Sequence, residues 1–390
     1  MKVALFSDTF PPEINGVATA TNTLFQALKA QGHTVYVVTT NPYSNQTTFQ
    51  NNILRVPGIT LKRIYNYKLA GFINLKARKV IKKMNLDLIH VQTEAGIGIM
   101  GRLIASKYHI PLVYTYHTMY YDYTYYVTKG AFDQTAKSLV KKFSKIMCDT
   151  SAEFTTPSYK TKDSLRSYGV NKYINVVPNG IDLSRFEEDR IDKNFIADFK
   201  KKYNLENKYI LLSLGRVAKE KSIDVIINGY SEYLKTNPSL DTVLLIVGDG
   251  PCKEELEQQC KNLNIEKNCI FVGKVPYEQV PFFYYMADLY LAASVTETQG
   301  LTFIESIASK TLVLCRFDEN LQEVIEDGKT GFFFKDNKTF VEKLLFIMNM
   351  KEDERKKIIE YAYERNKRYS METFASRMEE VYNRALKKFW

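Results

Sequence analysis

Acidic side chains are missing where basic ones are dense. Between Ile14 and Leu86 the chain has no Asp or Glu but ten Lys or Arg. Residues 1–190 hold 24 Lys and Arg against 13 Asp and Glu, a net of +11, whereas residues 191–390 hold 30 against 31, a net of −1. The whole positive excess therefore belongs to the first half. A field of that sign favours an anionic partner: nucleic acid, an anionic lipid surface or a phosphorylated substrate.

Other absences narrow the class. Five cysteines (Cys148, Cys252, Cys260, Cys269, Cys315) form no CxxC pair and no regular spacing, which argues against a disulfide framework or a zinc site and for reduced, buried thiols in a cytosolic protein. No apolar run reaches the ~18 residues a membrane-spanning helix needs. The opening MKVALFSDTF is broken by Asp8 and reads as a first strand, not a signal peptide. There is no GxxxxGK[ST] and no Asp-x-Asp, so neither a Walker-type NTPase nor a metal-clamped nucleotide-sugar site is supported. The Pro12–Val17 loop after the first strand is not GxGxxG, and the next acid after it is Asp87, which argues against a dehydrogenase.

What is present is an alternation of short β-rich runs and longer helical patterns. Lys2–Ser7, Thr34–Thr39, Leu86–Gln92, Pro111–Tyr116, Phe154–Ser158 and Ile174–Pro178 read as buried strands, with helices such as Ala18–Gln31, closed by Gly32, between them. A second series follows at Tyr209–Leu214, Thr242–Val247, Cys269–Val272, Leu289–Ala292, Leu312–Cys315 and Gly331–Phe334. Such alternation gives parallel sheets covered by helices on both faces. At 390 residues the chain exceeds the ~250–300 residues one core fills, so two domains are expected. The polar stretch Glu187–Lys202 is the expected hinge. It divides a domain over 1–195 from a second over 196–365, with a C-terminal helix over 366–390 packing back on the first.

Ligands of open α/β sheets bind beyond the carboxyl ends of strands, so the loops after strands carry the chemistry. Glu297-Thr-Gln-Gly300-Leu-Thr-Phe-Ile-Glu305 places two glutamates seven residues apart after a strand. Its reading is strand, glycine loop, helix start, with backbone N–H groups facing an anion; alone, the glutamates are equally a cap and a solvated helix residue. Leu214-Gly215-Arg216 with Lys221 follows the second domain's first strand and offers two cations to a diphosphate; alone, it is more simply a turn with solvated cations. Val247-Gly-Asp-Gly-Pro251 is a β-turn. Phe271-Val272-Gly273 offers a wall for a base, and Val177-Pro-Asn179-Gly180-Ile-Asp182 is a turn with special backbone needs. In the first half Asn15-Gly16 precedes a helix, where amides can meet phosphate. His117 ends the strand Leu112–Tyr116 and is one of four histidines; a lone histidine is more often structural.

In this order the pieces resemble the retaining GT-B-fold glycosyltransferases, the family of sucrose synthases, phosphatidylinositol mannosyltransferases and bacterial lipid glucosyltransferases. The resemblance covers nearly the whole chain, and the paired glutamates are its most specific part. It implies an α/β fold of two Rossmann-like, doubly wound parallel-sheet domains facing across a cleft. It also implies Glu297 on the donor sugar's hydroxyls, Glu305 on the ribose, and Arg216 and Lys221 on the diphosphate. The amides near Gly16 and over Gly300, Leu301 and Thr302 would assist, and His117 would sit near the reacting centre. Asn15, Asn179, Gly215, Val272, Gly273 and Gln299 complete the implied donor site. Many relatives carry Gly where this chain has Asn15, and Gly where it has Ser222.

Tyr114–Tyr126 (YTYHTMYYDYTYY) and Ser294–Thr302 (SVTETQGLT) are similar to segments of bacterial diacylglycerol glucosyltransferases. That implies UDP-glucose as donor, diacylglycerol as acceptor and action at the cytoplasmic membrane face; no metal dependence is expected, since the sequence has no Asp-x-Asp. Lys62–Met84 adds eight Lys or Arg and no acid, interleaved with apolar residues. As a helix it would lie on an anionic bilayer through Lys62, Arg63, Lys68, Lys76, Arg78, Lys79, Lys82 and Lys83, with Phe72, or simply pack on the sheet. Ala136–Met147 repeats the pattern, and Tyr120, Tyr121, Tyr123, Tyr125 and Tyr126 line an acceptor path, sit at the lipid interface or are ordinary core and surface tyrosines. A glucolipid, a phosphatidylinositol-type lipid or a soluble acceptor remains open. A basic nucleic-acid-binding module would account for the positive half but not the C-terminal motifs, so no nucleic-acid partner is expected.

Overall fold

The computed structural model describes all residues except 14, 62–66, 118–132, 238–240, 295–296 and 390. The chain forms two compact units, Met1–Ile181 with Tyr369–Trp390, and Asp182–Arg368.

Among the described residues of the first unit ten strands are β1 Lys2–Phe6, β2 Thr34–Thr40, β3 Thr48–Gln50, β4 Ile53–Val56, β5 Gly58–Leu61, β6 Tyr67–Ala70, β7 Leu88–Val91, β8 Leu112–Thr115, β9 Glu153–Thr156 and β10 Asn175–Val176. Eight of them make one sheet in the order β10-β9-β8-β7-β1-β2-β4-β3, parallel except for the β3–β4 pair. Strand β1 shows why the runs are continuously apolar. Val3 and Leu5 join one core with Leu24 and Leu28, whereas Ala4 and Phe6 join another with Ile97 and Met100. Alternate residues thus bury on opposite faces.

The C-terminal helix Met371–Phe389 belongs to this unit. Its Phe374, Met378, Val381, Tyr382 and Ala385 recur at helical spacing and are buried in the core shared with the helix Gly16–Ala30. Lys388 also reaches the buried Glu153 carboxylate.

Among its described residues the second unit holds six parallel strands, β11 Tyr209–Leu214, β12 Thr242–Val247, β13 Cys269–Gly273, β14 Leu289–Ala292, β15 Leu312–Arg316 and β16 Phe332–Phe334, in the order β13-β12-β11-β14-β15-β16.

Two expectations need correction. The units divide at 181/182 and 368/369 rather than at 195 and 365, and the charged stretch 187–202 is part of the second unit. Its helix Lys193–Lys202 is capped by Asp192 and carries Phe195 and Phe199, which pack against Phe283 of the helix Val280–Met286. Those few aromatics outweigh the polar composition around them. The basic segment 62–84 is not one helix: β6 pairs antiparallel with β5, and among its described residues only Leu75–Lys83 is helical, started by the Asn74 side chain on the Ala77 N–H.

Candidate active site

Both sheets reverse direction at a definite point. In the first, β1 lies between β2 and β7; in the second, β11 lies between β12 and β14. The loops after those strands flank the switch points, where open α/β sheets bind ligands. These loops carry the motifs.

In the second unit Gly215, Arg216, Lys221, Ser294, Glu297 and Thr302 line one pocket. Lys221 Nζ lies 2.5 Å from Glu297 Oε1, joining the loop after β11 to the loop after β14. Burial pushes the Glu297 carboxyl up, but the Lys221 ammonium and hydrogen bonds from Lys221 and Ser294 override this and hold it below the usual glutamate value. Arg216 is exposed, with Nη1 3.8 Å from Glu220 Oε1. Cation and carboxylate, read from the sequence in separate roles, are thus partners here.

The Gly-Asp-Gly-Pro turn supports this pocket from behind. Val217 N–H donates to the Asp249 carbonyl at 3.0 Å, and a Cβ on Gly248 or Gly250 would come within 1.8 Å of the Gly215 carbonyl or 2.2 Å of the Val217 carbonyl. The glycines are there so that one strand-end loop can lie on another. The neighbouring β13 end joins through Gly248 N–H on the Gly273 carbonyl, 2.9 Å, with Val272 half-buried beside it. Ser222, at φ +48°, occupies the left-handed region, which accounts for the Gly that many relatives carry there.

Gly300, at φ +76°, turns the chain into the helix Leu301–Ala308, which no side chain caps. Its first N–H groups, those of Leu301 and Thr302 among them, have no intrahelical acceptor and carry the positive end of the dipole. Gln299 is buried behind them. Glu305, a turn on, is 6% exposed, and Tyr284 Oη donates to it at 3.2 Å. Burial pushes Glu305 up to about 7, with Arg185 and the Tyr284 hydrogen bond opposing. Tyr284 was not singled out in the sequence, since an aromatic in a helix carries no signal of a carboxylate partner.

In the first unit Asn15 caps the helix Gly16–Ala30 through the Ala18 N–H and donates to Thr9 Oγ1 at 2.7 Å, and Thr9 in turn donates to Glu13 at 2.5 Å. Gly16 is exposed, and a Cβ there would meet nothing within 4 Å. His117 ends β8, buried, with Nε2 2.6 Å from Gln92 Oε1 at the end of β7. Burial pushes its imidazole down to about 4. Asn179 is buried in the turn before Ile181, whose N–H donates to the Tyr369 carbonyl where the last helix returns.

The basic surface is partly recast. Phe72, Ile73 and Leu75 are 51%, 71% and 67% exposed, and Lys76, Lys79, Lys82 and Lys83 are exposed on the helix behind them. Lys68 instead donates to the Asn41 and Pro42 carbonyls, and Arg78 to Tyr108 Oη, so both are committed to the fold. On the helix Asp133–Asp149, Leu139, Phe143 and Ile146 are exposed one turn apart. Lys62, Arg63, Tyr120, Tyr121, Tyr123, Tyr125 and Tyr126 lie outside the described residues. Among the described residues no three His, Cys, Asp or Glu cluster as a metal site.

Two doubly wound parallel-sheet units with motif-bearing loops at their switch points are the GT-B architecture of a glycosyltransferase. Residues 14–185 match the model of glycosyltransferase family 4, and residues 195–365 that of glycosyl transferases group 1. The chain is 33% identical over 353 residues to alpha-monoglucosyldiacylglycerol synthase of Acholeplasma laidlawii, covering 89% of this chain and 88% of that one. To the alpha-monoglucosyldiacylglycerol synthase of Streptococcus pneumoniae it is 34% identical over 337 residues, 86% of this chain and 75% of that one. It belongs to their family and is a hexosyltransferase. The crystal structure of HepE from Anabaena in complex with UDP and glucose superposes with a TM-score of 0.73 at 16% identity, over 97% of this chain and 98% of that one, which establishes the shared fold.

Proposed function

We propose that the protein transfers glucose from UDP-glucose to 1,2-diacylglycerol, giving alpha-monoglucosyldiacylglycerol with retention of configuration, while bound peripherally at the anionic inner face of the cell membrane. The observation that carries the reading is the identity of about a third, over most of the chain, to two alpha-monoglucosyldiacylglycerol synthases from different organisms.

The chemistry fits the pocket. Breaking the bond between the sugar's C1 and the diphosphate leaves negative charge on the phosphate, and Lys221, Arg216 and the amides at Gly300–Thr302 offset it. The acceptor oxygen bonds to C1 from the face the diphosphate leaves, and its proton passes to the departing phosphate oxygen. Glu297 holds the sugar's hydroxyls and is kept ionised by Lys221. Glu305 takes the ribose. No described side chain is placed as a covalent nucleophile, and the two-carboxylate glycosidase scheme is not required.

The acceptor is a membrane lipid, and the exposed Phe72-Ile73-Asn74-Leu75 tip with lysines behind it suits an interface: apolar residues enter the headgroup layer while each lysine contributes about 1 kcal/mol on an anionic surface. The face of Leu139, Phe143 and Ile146 offers a second such contact. Among the described residues no helix is long and apolar enough to cross a membrane.

The test is transfer from radiolabelled UDP-glucose in mixed micelles holding diacylglycerol, monoglucosyldiacylglycerol or neither, with and without an anionic phospholipid. Product on diacylglycerol that rises with anionic lipid supports the proposal. Product only on the glucolipid, or donor hydrolysis with no lipid product, overturns the acceptor assignment.

A further inference from the structure

His117 is not alone at the end of its strand. It heads a buried polar row that continues through Gln92 and His90 to Tyr382 on the C-terminal helix, with exposures of 7%, 2%, 0% and 0%. His117 Nε2 meets Gln92 Oε1 at 2.6 Å. The Gln92 amide nitrogen lies 3.1 Å from His90 Nδ1, which is 2.8 Å from Tyr382 Oη, while His90 Nε2 is 2.7 Å from Thr115 Oγ1. Thr115 Oγ1 in turn meets Thr155 Oγ1 at 2.5 Å. The row crosses three neighbouring strands and ends on a helix more than 260 residues away in sequence.

We infer that Gln92 is a positioning residue for His117, anchored through His90 by Tyr382, and that it fixes His117 as the neutral tautomer protonated at Nε2. This rests on the role that the family resemblance implies for His117, near the reacting centre. A glutamine oxygen only accepts, so the imidazole nitrogen facing it must carry the proton. Nδ1 is then a lone pair, and it takes no partner among the described residues. A histidine held this way accepts a hydrogen bond and cannot donate one from that atom, so the group it recognises is a hydroxyl of the transferred sugar. The titratable groups lining the row are neutral as well: burial pushes His90 well below, and Tyr382 well above, their ordinary values. No charge in the row competes for the proton on Nε2. A polar row with every member bonded holds one arrangement, since breaking any link leaves a buried group unpaired.

The chain has four histidines, so its imidazole nitrogens are resolvable by NMR in the full-length protein without substrate. The wild type is expected to show His117 as the neutral Nε2–H form with no titration between about pH 5.5 and pH 8, where an ordinary histidine titrates. Gln92→Glu places a carboxylate at the same nitrogen and is expected to raise the His117 midpoint by roughly 1–3 units. Sugar transfer by this variant should gain an acid limb at that midpoint, absent from the wild type, because imidazolium has no lone pair to offer. Gln92→Leu should lower transfer by about 100-fold, the scale of a misplaced site group. Tyr382→Phe removes one hydroxyl and should shift the His90 and His117 nitrogen resonances while the protein stays folded, which keeps the test available where a Gln92 variant fails to fold. An Nδ1–H or protonated His117 in the wild type, or an unmoved midpoint in folded Gln92→Glu, overturns the inference. The spectra need no acceptor lipid, so they are independent of the transfer assay's outcome.

Discussion

Lys221 and Glu297 stand 76 residues apart in sequence and 2.5 Å apart in space. The lysine comes from the loop after β11 and the glutamate from the loop after β14, so the pair exists only because those strands are neighbours. Their side chains are 30% and 14% exposed, which makes each the other's main electrostatic surrounding. Lys221→Met leaves Glu297 buried without the Lys221 ammonium, at a cost of about 1–3 kcal/mol, and its carboxyl then rises, with the Ser294 hydrogen bond still opposing burial. Denaturant unfolding should show that loss, and Lys221→Met with Glu297→Gln should recover much of it. Sugar transfer should fall in both.

Glu297→Ala should reduce turnover far more than UDP-glucose affinity, because its proposed contacts are to the sugar and not to the nucleotide. Arg216→Ala should weaken both together, since the diphosphate is bound in the ground state and gains charge in the transition state. Initial-rate kinetics with UDP binding measured separately distinguish the two patterns. Wild-type turnover in Glu297→Ala would remove it from the site.

Glu305 gives a prediction with a definite sign. Its carboxyl is raised from 4.5 to about 7 by burial. The folded state therefore binds the extra proton between those values, and the stability this group contributes is lost as pH rises from about 4.5 to about 7. Glu305→Gln removes that dependence. Thermal unfolding of wild type and variant from pH 5 to pH 8 should show their difference moving in the variant's favour as pH rises; a constant difference would contradict the assignment.

Gly16 and Gly300 should respond oppositely to a methyl group. At Gly300 the backbone is left-handed and a Cβ would meet the Phe303 ring at 2.6 Å, so Gly300→Ala should cost about 1–3 kcal/mol of stability. At Gly16 a Cβ meets nothing within 4 Å among the described residues, so Gly16→Ala should stay within about 0.5 kcal/mol and yet lower sugar transfer if phosphate or sugar approaches the helix start. Thermal denaturation together with the transfer assay separates the two.

Lysines of the basic segment differ in kind: Lys79, Lys82 and Lys83 are exposed on its helix, whereas Lys68 lies on β6. Replacing Lys79, Lys82 and Lys83 together by Gln should cut binding to anionic vesicles by about 100-fold at low salt, from about 1 kcal/mol each. Lys68→Gln should not change vesicle binding but should loosen the β5–β6 region, because its ammonium holds the Asn41 and Pro42 carbonyls. Vesicle sedimentation at two salt concentrations reads both.

Much of the fold was legible because buried parallel strands have to be apolar on both faces. The six strands of the second unit were located to within a residue or two, and the motif loops were placed correctly at strand ends. The short strands β3 to β6 leave no signal of their own: each has only three or four residues, and β6, with Lys68, lies inside the basic run that reads as one helix. The charged stretch 187–202 reads as a hinge because two phenylalanines and two isoleucines among many charges leave no composition signal, although Phe195 and Phe199 pack into the second unit.

By itself the sequence determined the class of fold, the strand-end positions of the glycine and glutamate motifs and the concentration of positive charge in the first half, since these follow from local pattern and composition. Tertiary structure alone decided that Lys221 pairs with Glu297, that Glu305 is buried against Tyr284, and that Tyr382 of the last helix reaches His117 through His90 and Gln92. Each of those contacts joins residues tens to hundreds of positions apart, and side-chain proximity at that separation is set by strand order and helix return, which no local pattern records.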